Sequence, residues 1–70
     1  MIIVKKAYFI NKRRWDLLLD NEITLNLSEK NIEGSIVNYI KLIDKFNKNE
    51  INSIKNIDLR NNEKAIISFK

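Results

Sequence analysis

The alternation on either side of Asp20-Asn21-Glu22 constrains this chain more than any other feature. Trp15, Leu17 and Leu19 alternate with Asp16, Leu18 and Asp20 before it, and Ile23, Leu25 and Leu27 alternate with Thr24 and Asn26 after it. A period of two marks half-buried strands. Successive side chains of a strand point to opposite faces, so a pairing slip of one residue would send one apolar set to the wrong side. Pairing Leu19 with Ile23, Leu17 with Leu25 and Trp15 with Leu27 keeps both sets together and leaves Asp20-Asn21-Glu22 as a three-residue loop. Such loops join a type I turn to a residue in the left-handed region. Glu22 takes that position, so its φ is expected to be positive, at a cost of about 1–2 kcal/mol.

The remaining elements follow from changes of period. "IIVKKAYFI" is apolar and β-branched enough for a strand before the hairpin. From Asn31 the spacing becomes helical, with Ile32, Ile36, Tyr39, Ile40, Ile43 and Phe46 in one stripe and Val37 and Leu42 on its flanks. Ser28 or Asn31 caps its start, and Asn47-Lys48-Asn49 is a plausible stop. Two more strands then carry Ile57 and Leu59 on one and Ala65, Ile67 and Phe69 on the other, joined near Asn61-Asn62-Glu63. Pairing Ile57 with Ile67 and Leu59 with Ala65 again leaves three loop residues. The expected fold class is α+β, a small antiparallel sheet of βββαββ order with one helix packed across a face. Residues 64–69 form the C-terminal strand at an edge.

Composition narrows the chemistry. The 70 residues make one domain, and a core of this size is marginal without staples. Cysteine and histidine are both absent, which removes disulfides, Cys/His zinc sites, thiolate nucleophiles and a histidine base. No metal site or cofactor is expected. A hydrolase would have to rely on carboxylates such as Asp16, Asp20 and Asp58, whose spacing gives no reason for pairing. No apolar run approaches the roughly 20 residues of a membrane span. The net charge of +4 raises a second reading, a small basic nucleic-acid-binding domain displaying Tyr8 or Phe9. Against it, only Lys12-Arg13-Arg14 is a cluster, and nine acidic residues are interspersed with the cations. With Gly34 the sole glycine, a GXXG clamp is excluded. Ile, Asn and Lys together form about half the chain, the bias of AT-rich codons, so part of the charge reflects drift.

"RRWDLLLDNEITLNL", then a helix, then "EINSIKNIDLRNNEKAIISF", resembles the C-terminal half of the periplasmic β domain of the FtsQ/DivIB family of bacterial cell-division proteins. The shared pattern is Arg-Arg-Trp and a strand, a Leu-Asp-Asn turn, a strand, a helix, an Ile-Asp-Leu-Arg strand and a final hairpin. It runs from Val4 to Phe69. Glu22 stands where the family often has glycine, and Ser28 where proline is common. The resemblance implies that residues 1–70 are a fragment of an FtsQ-type β domain, lacking the membrane helix and POTRA domain of the family. The full-length protein would then cross the inner membrane once, with this segment in the periplasm.

The implied role is a scaffold of the division machinery and not an enzyme. The implied partners are FtsB- and FtsL-like division proteins, one of which adds a strand to the last β strand. Lys64, Ala65, Ile66, Ile67, Ser68 and Phe69 would offer that edge, with Phe69 as an aromatic anchor. Arg60, the arginine of the matched Ile-Asp-Leu-Arg motif, would meet a partner carboxylate; the competing assignment pairs it with a carboxylate of its own sheet. Trp15 is assigned to the hairpin's buried face, Arg13 and Arg14 to its outer rows. An uncovered edge also exposes the fragment to edge-to-edge self-association.

Overall fold

A computed structural model describes residues 2–61 and 64–70. The elements are β1 (Val4–Ile10), β2 (Arg14–Leu19), β3 (Thr24–Ser28), α1 (Ile32–Ile43), α2 (Lys48–Ser53), β4 (Ile54–Asp58) and β5 (Ile66–Phe69). The strands form one sheet in the order β1-β2-β3-β4-β5. Between β2 and β3, Trp15 lies opposite Leu27 and Leu17 opposite Leu25, as the alternation requires. The Leu19 N–H donates to the Ile23 carbonyl at 2.9 Å, closing the hairpin. Glu22 has φ of 68°, the expected left-handed conformation. Its carboxylate meets Lys5 Nζ at 2.9 Å, which ties the turn to β1. Asn11 and Lys12, at φ of 51° and 56°, form the β1–β2 turn. Two consecutive positive φ values match the twist of hairpin strands, and asparagine tolerates them better than lysine.

The expected order and the edge position of β5 are both present, but the sheet is mixed and not wholly antiparallel. Thr24, Leu25 and Asn26 pair with Asn56, Ile57 and Asp58 in parallel register. The reason lies in the connection. A helical crossover carries the chain back along the sheet, so the strand after it starts from the same end as the strand before it. Asn31 caps α1, its side chain accepting from the Gly34 N–H at 3.2 Å. α1 ends at Ile43, before the asparagine-rich segment expected to stop it, so Phe46 lies beyond the helix and that segment starts a second one. Asn47 accepts from the Glu50 N–H at 2.8 Å while the Glu50 carboxylate accepts from the Asn47 N–H at 3.0 Å, a capping box that opens α2.

The core lies between α1 and one face of the sheet. Leu19, Ile23, Leu25, Leu27, Ile54, Ile57 and Leu59 are buried there with Tyr39. The buried line of α1 is rotated from the expected stripe. Ser35 is buried and donates through Oγ to the Leu59 carbonyl at 3.3 Å, whereas Ile40 and Val37 are 50% and 47% exposed. A small hydroxyl-bearing residue permits close approach to the sheet and finds an acceptor, and hydropathy alone does not register either property. Tyr39 reaches the β2–β3 turn, where its hydroxyl accepts from Asn21 Nδ2 at 3.2 Å.

Replacing Glu22 with glycine relieves the left-handed strain, at the expense of an exposed ion pair and of unfolded-state entropy. The expected net result is a gain of about 0.5–1 kcal/mol in urea unfolding. A loss of stability in E22G would show that the Lys5 contact outweighs the strain.

Candidate functional site

Backbone pairing leaves β5 with one neighbour. Ile57 lies opposite Ile67 in the expected register, with Asp58 opposite Ile66 and Asn56 opposite Ser68. The ladder ends there, so the anticipated pair Leu59 and Ala65 falls just beyond it; Asn62 and Glu63 of the anticipated loop lie outside the described residues. Lys64 and Ala65 precede the strand and are exposed. Within β5, Ile67 is half-buried against the core, while Ile66 and Phe69 are 55% and 56% exposed. The Lys70 N–H donates to the Ser53 carbonyl at 2.8 Å and fixes the strand's end.

Arg60 follows β4 and folds back on its own sheet. Its Nε and Nη2 donate to the two oxygens of Asp58 at 3.0 and 2.7 Å, and its backbone N–H donates to the same carboxylate at 3.0 Å. The sheet-pairing assignment therefore describes the free chain. The bond from the guanidinium lowers the Asp58 carboxyl below the usual aspartate range and raises Arg60 further. Two of the five guanidinium donors are used, and the side chain stays 48% exposed.

Arg60 does not stand alone. With Arg13, Arg14 and Ser28 it lines one concavity at the end of the sheet. The parallel register creates this meeting. β4 ends where β3 ends, the Leu59 N–H donates to the Asn26 carbonyl at 2.9 Å, and Arg14 lies opposite Ser28. An antiparallel β4 would have carried Arg60 to the opposite end. The sequence placed Arg13 and Arg14 on outer rows but offered no signal that Arg60 would join them. Arg13 is exposed, and Arg14 is half-buried with Nε 3.4 Å from Asp16 Oδ1. Below them a polar ladder crosses the open face: Asn56 Nδ2 donates to Asn26 Oδ1 at 2.6 Å, and Asn26 Nδ2 donates to Asp16 Oδ1 at 2.8 Å. A neighbouring concavity, shared by Asp58, Arg60, Lys64 and Ile66, joins the arginines to the start of β5.

The competing chemistries gain little from this geometry. Tyr8 and Phe9 are both about half exposed, but as consecutive strand residues they point to opposite faces. Phe9 stacks on Trp15, ring centroids 4.8 Å apart, so the two aromatics do not form a shared platform for bases. Asp16 and Asp58 share the open face two strands apart, each engaged by its own partners, while Asp20 lies in the β2–β3 turn. Among the described residues no group of three or more carboxylates is placed to hold a metal ion, and no helix is long and apolar enough to cross a membrane.

The folded-state pKa of Asp58 is lowered, so its pair with Arg60 stabilises the fold above the ordinary aspartate value of 3.8. That contribution is lost as pH falls through the lowered value. Carboxyl-detected NMR should place the Asp58 midpoint below 3.8 and return it toward that value in R60A. An unshifted midpoint would mean that the pair does not persist in solution.

Residues 3–60 match the family model described as "Cell division protein FtsQ/DivIB, C-terminal". The match spans β1 through Arg60 and ends before β5. No curated protein matches the chain.

Proposed function

Because the chain belongs to the FtsQ/DivIB C-terminal family of cell-division proteins, we propose that it is a non-enzymatic docking module that takes up an extended partner segment as an added strand on β5. The observation that carries this reading is β5 itself: an edge strand bonded on one side, with Ile66 and Phe69 exposed and Arg60 lining a concavity with Ile66 at its start. An unpaired edge supplies backbone donors and acceptors with little demand on sequence. Side chains supply selection. Phe69 is the apolar anchor, and the arginine concavity receives a carboxylate of the partner, for which the planar guanidinium is better shaped than an ammonium. The partners are FtsB- and FtsL-like division proteins. The module works in the periplasm, tethered to the inner membrane as part of a single-pass protein.

In the free chain Asp58 holds Arg60 in place, and an incoming carboxylate either shares the guanidinium through its remaining donors or displaces Asp58. The exchange is between like partners, so its effect falls on selectivity and association rate more than on affinity.

The test is an NMR titration with a peptide from the C-terminal region of the same organism's FtsB-like protein. Shifts should concentrate at Arg60 and at residues 64–69, and R60A should weaken binding about tenfold. Shifts confined to β1, or binding of a single-stranded oligonucleotide with a steep salt dependence in place of the peptide, would overturn the reading. Sedimentation over a range of concentrations separates partner binding from pairing of two β5 edges.

A further inference from the structure

Three lysines converge on a further concavity, which shares no lining residue with that of the arginines. Lys41 stands in the last turn of α1, Lys45 follows just beyond its C-cap, and Lys64 approaches from the segment before β5. Asn38 and Asn61 line the same space, and the buried Leu59 closes part of it. At about 290 Å3 it lies at the small end of ligand-sized pockets.

Three cations and no carboxylate line this space. Lys41, Lys45 and Lys64, like most cations of the chain, form no ion pair among the described residues. Asp44, between Lys41 and Lys45 in sequence, caps α1 and forms an ion pair with neither. The helix dipole accounts for a lysine in the last turn. It does not account for Lys64, which comes from a different element and adds a third positive charge to the same space.

We infer that this concavity binds a phosphate group. Ammonium groups act as compact point charges suited to a tetrahedral phosphate anion, and the Asn38 amide adds a neutral donor to its oxygens. The arginine concavity has the planar forks that suit a carboxylate. The two basic sites thus differ in chemistry; Lys64 and Ala65 also belong to the segment offered to a partner strand, whereas Lys41 and Lys45 do not. The group can be carried by a soluble phosphate monoester or by a phospholipid headgroup.

The probes are glycerol phosphate in free solution and vesicles of phosphatidylglycerol, with phosphatidylcholine vesicles as the neutral reference. Amide and lysine side-chain NMR should show saturable shifts at residues 38, 41, 45, 61 and 64. The double variant K41Q/K45Q, whose side chains are exposed and whose fold is checked by circular dichroism, should weaken binding about tenfold or more. Saturation by glycerol phosphate assigns a soluble group, and a response to phosphatidylglycerol vesicles alone assigns a headgroup. Shifts spread equally over Lys5, Lys48, Lys55 and Lys70, or affinity unchanged in K41Q/K45Q, would show only diffuse attraction to a basic protein and would overturn the inference.

Discussion

The parallel pairing of β3 with β4 is the constraint from which the rest of the molecule follows. It seats Leu25 beside Ile57 in the buried layer and Asn26 beside Asp58 on the open face. The same register lets the asparagine amides bridge three strands, from Asn56 through Asn26 to Asp16. Because a parallel neighbour ends where its partner ends, Arg60 emerges beside Ser28 and the β1–β2 turn. Residues almost fifty positions apart in sequence thereby become one basic concavity.

The hairpin was legible from its residues because two constraints coincide there. Alternation admits one register that buries both apolar sets, and the loop length that this register leaves demands a left-handed residue at Glu22. Strand direction carries no comparable signal. Ile57 and Leu59 read as one alternating strand whichever way it runs, and only the crossover geometry decides. The arginine cluster was illegible for the same reason, since it depends on that direction. Two other departures are local. Asn47 caps the start of α2 and does not end α1, which stops at Ile43, and Ser35 is buried because it is small and has the Leu59 carbonyl to bond, while the more apolar Ile40 faces outward.

Among the described residues, ion pairing divides the surface cations into two groups. Lys5 secures the strained turn at Glu22, and Arg60 is held by Asp58, so these charges serve the fold of the free chain. Both pairs are substantially exposed, and exposed pairs add little to stability. Their larger effect is on position. Asp58 fixes the guanidinium at the end of β4 without burying it, which lowers the ordering cost of a later contact at that place.

The two edges of the sheet differ in how well they are protected. β1 carries Lys5 and Lys6 and an irregular register between Val4 and Lys6, devices that discourage pairing at an edge. β5 has no charged residue between Ile66 and Phe69, but it is only four residues long. Along an edge only alternate residues direct their backbone groups outward, so β5 offers about four hydrogen bonds, each contributing roughly 0.5–1.5 kcal/mol net. Against the several kcal/mol of freedom lost on association, that total leaves little surplus. A strand added to β5 therefore needs side-chain anchors at both ends, and the molecule presents one of each kind: an exposed phenyl ring at Phe69 and the Arg60 guanidinium, which shares a concavity with Ile66. Short backbone contact flanked by an apolar and a charged anchor favours selective over indiscriminate pairing, because a segment that lacks either anchor retains only the weak central term.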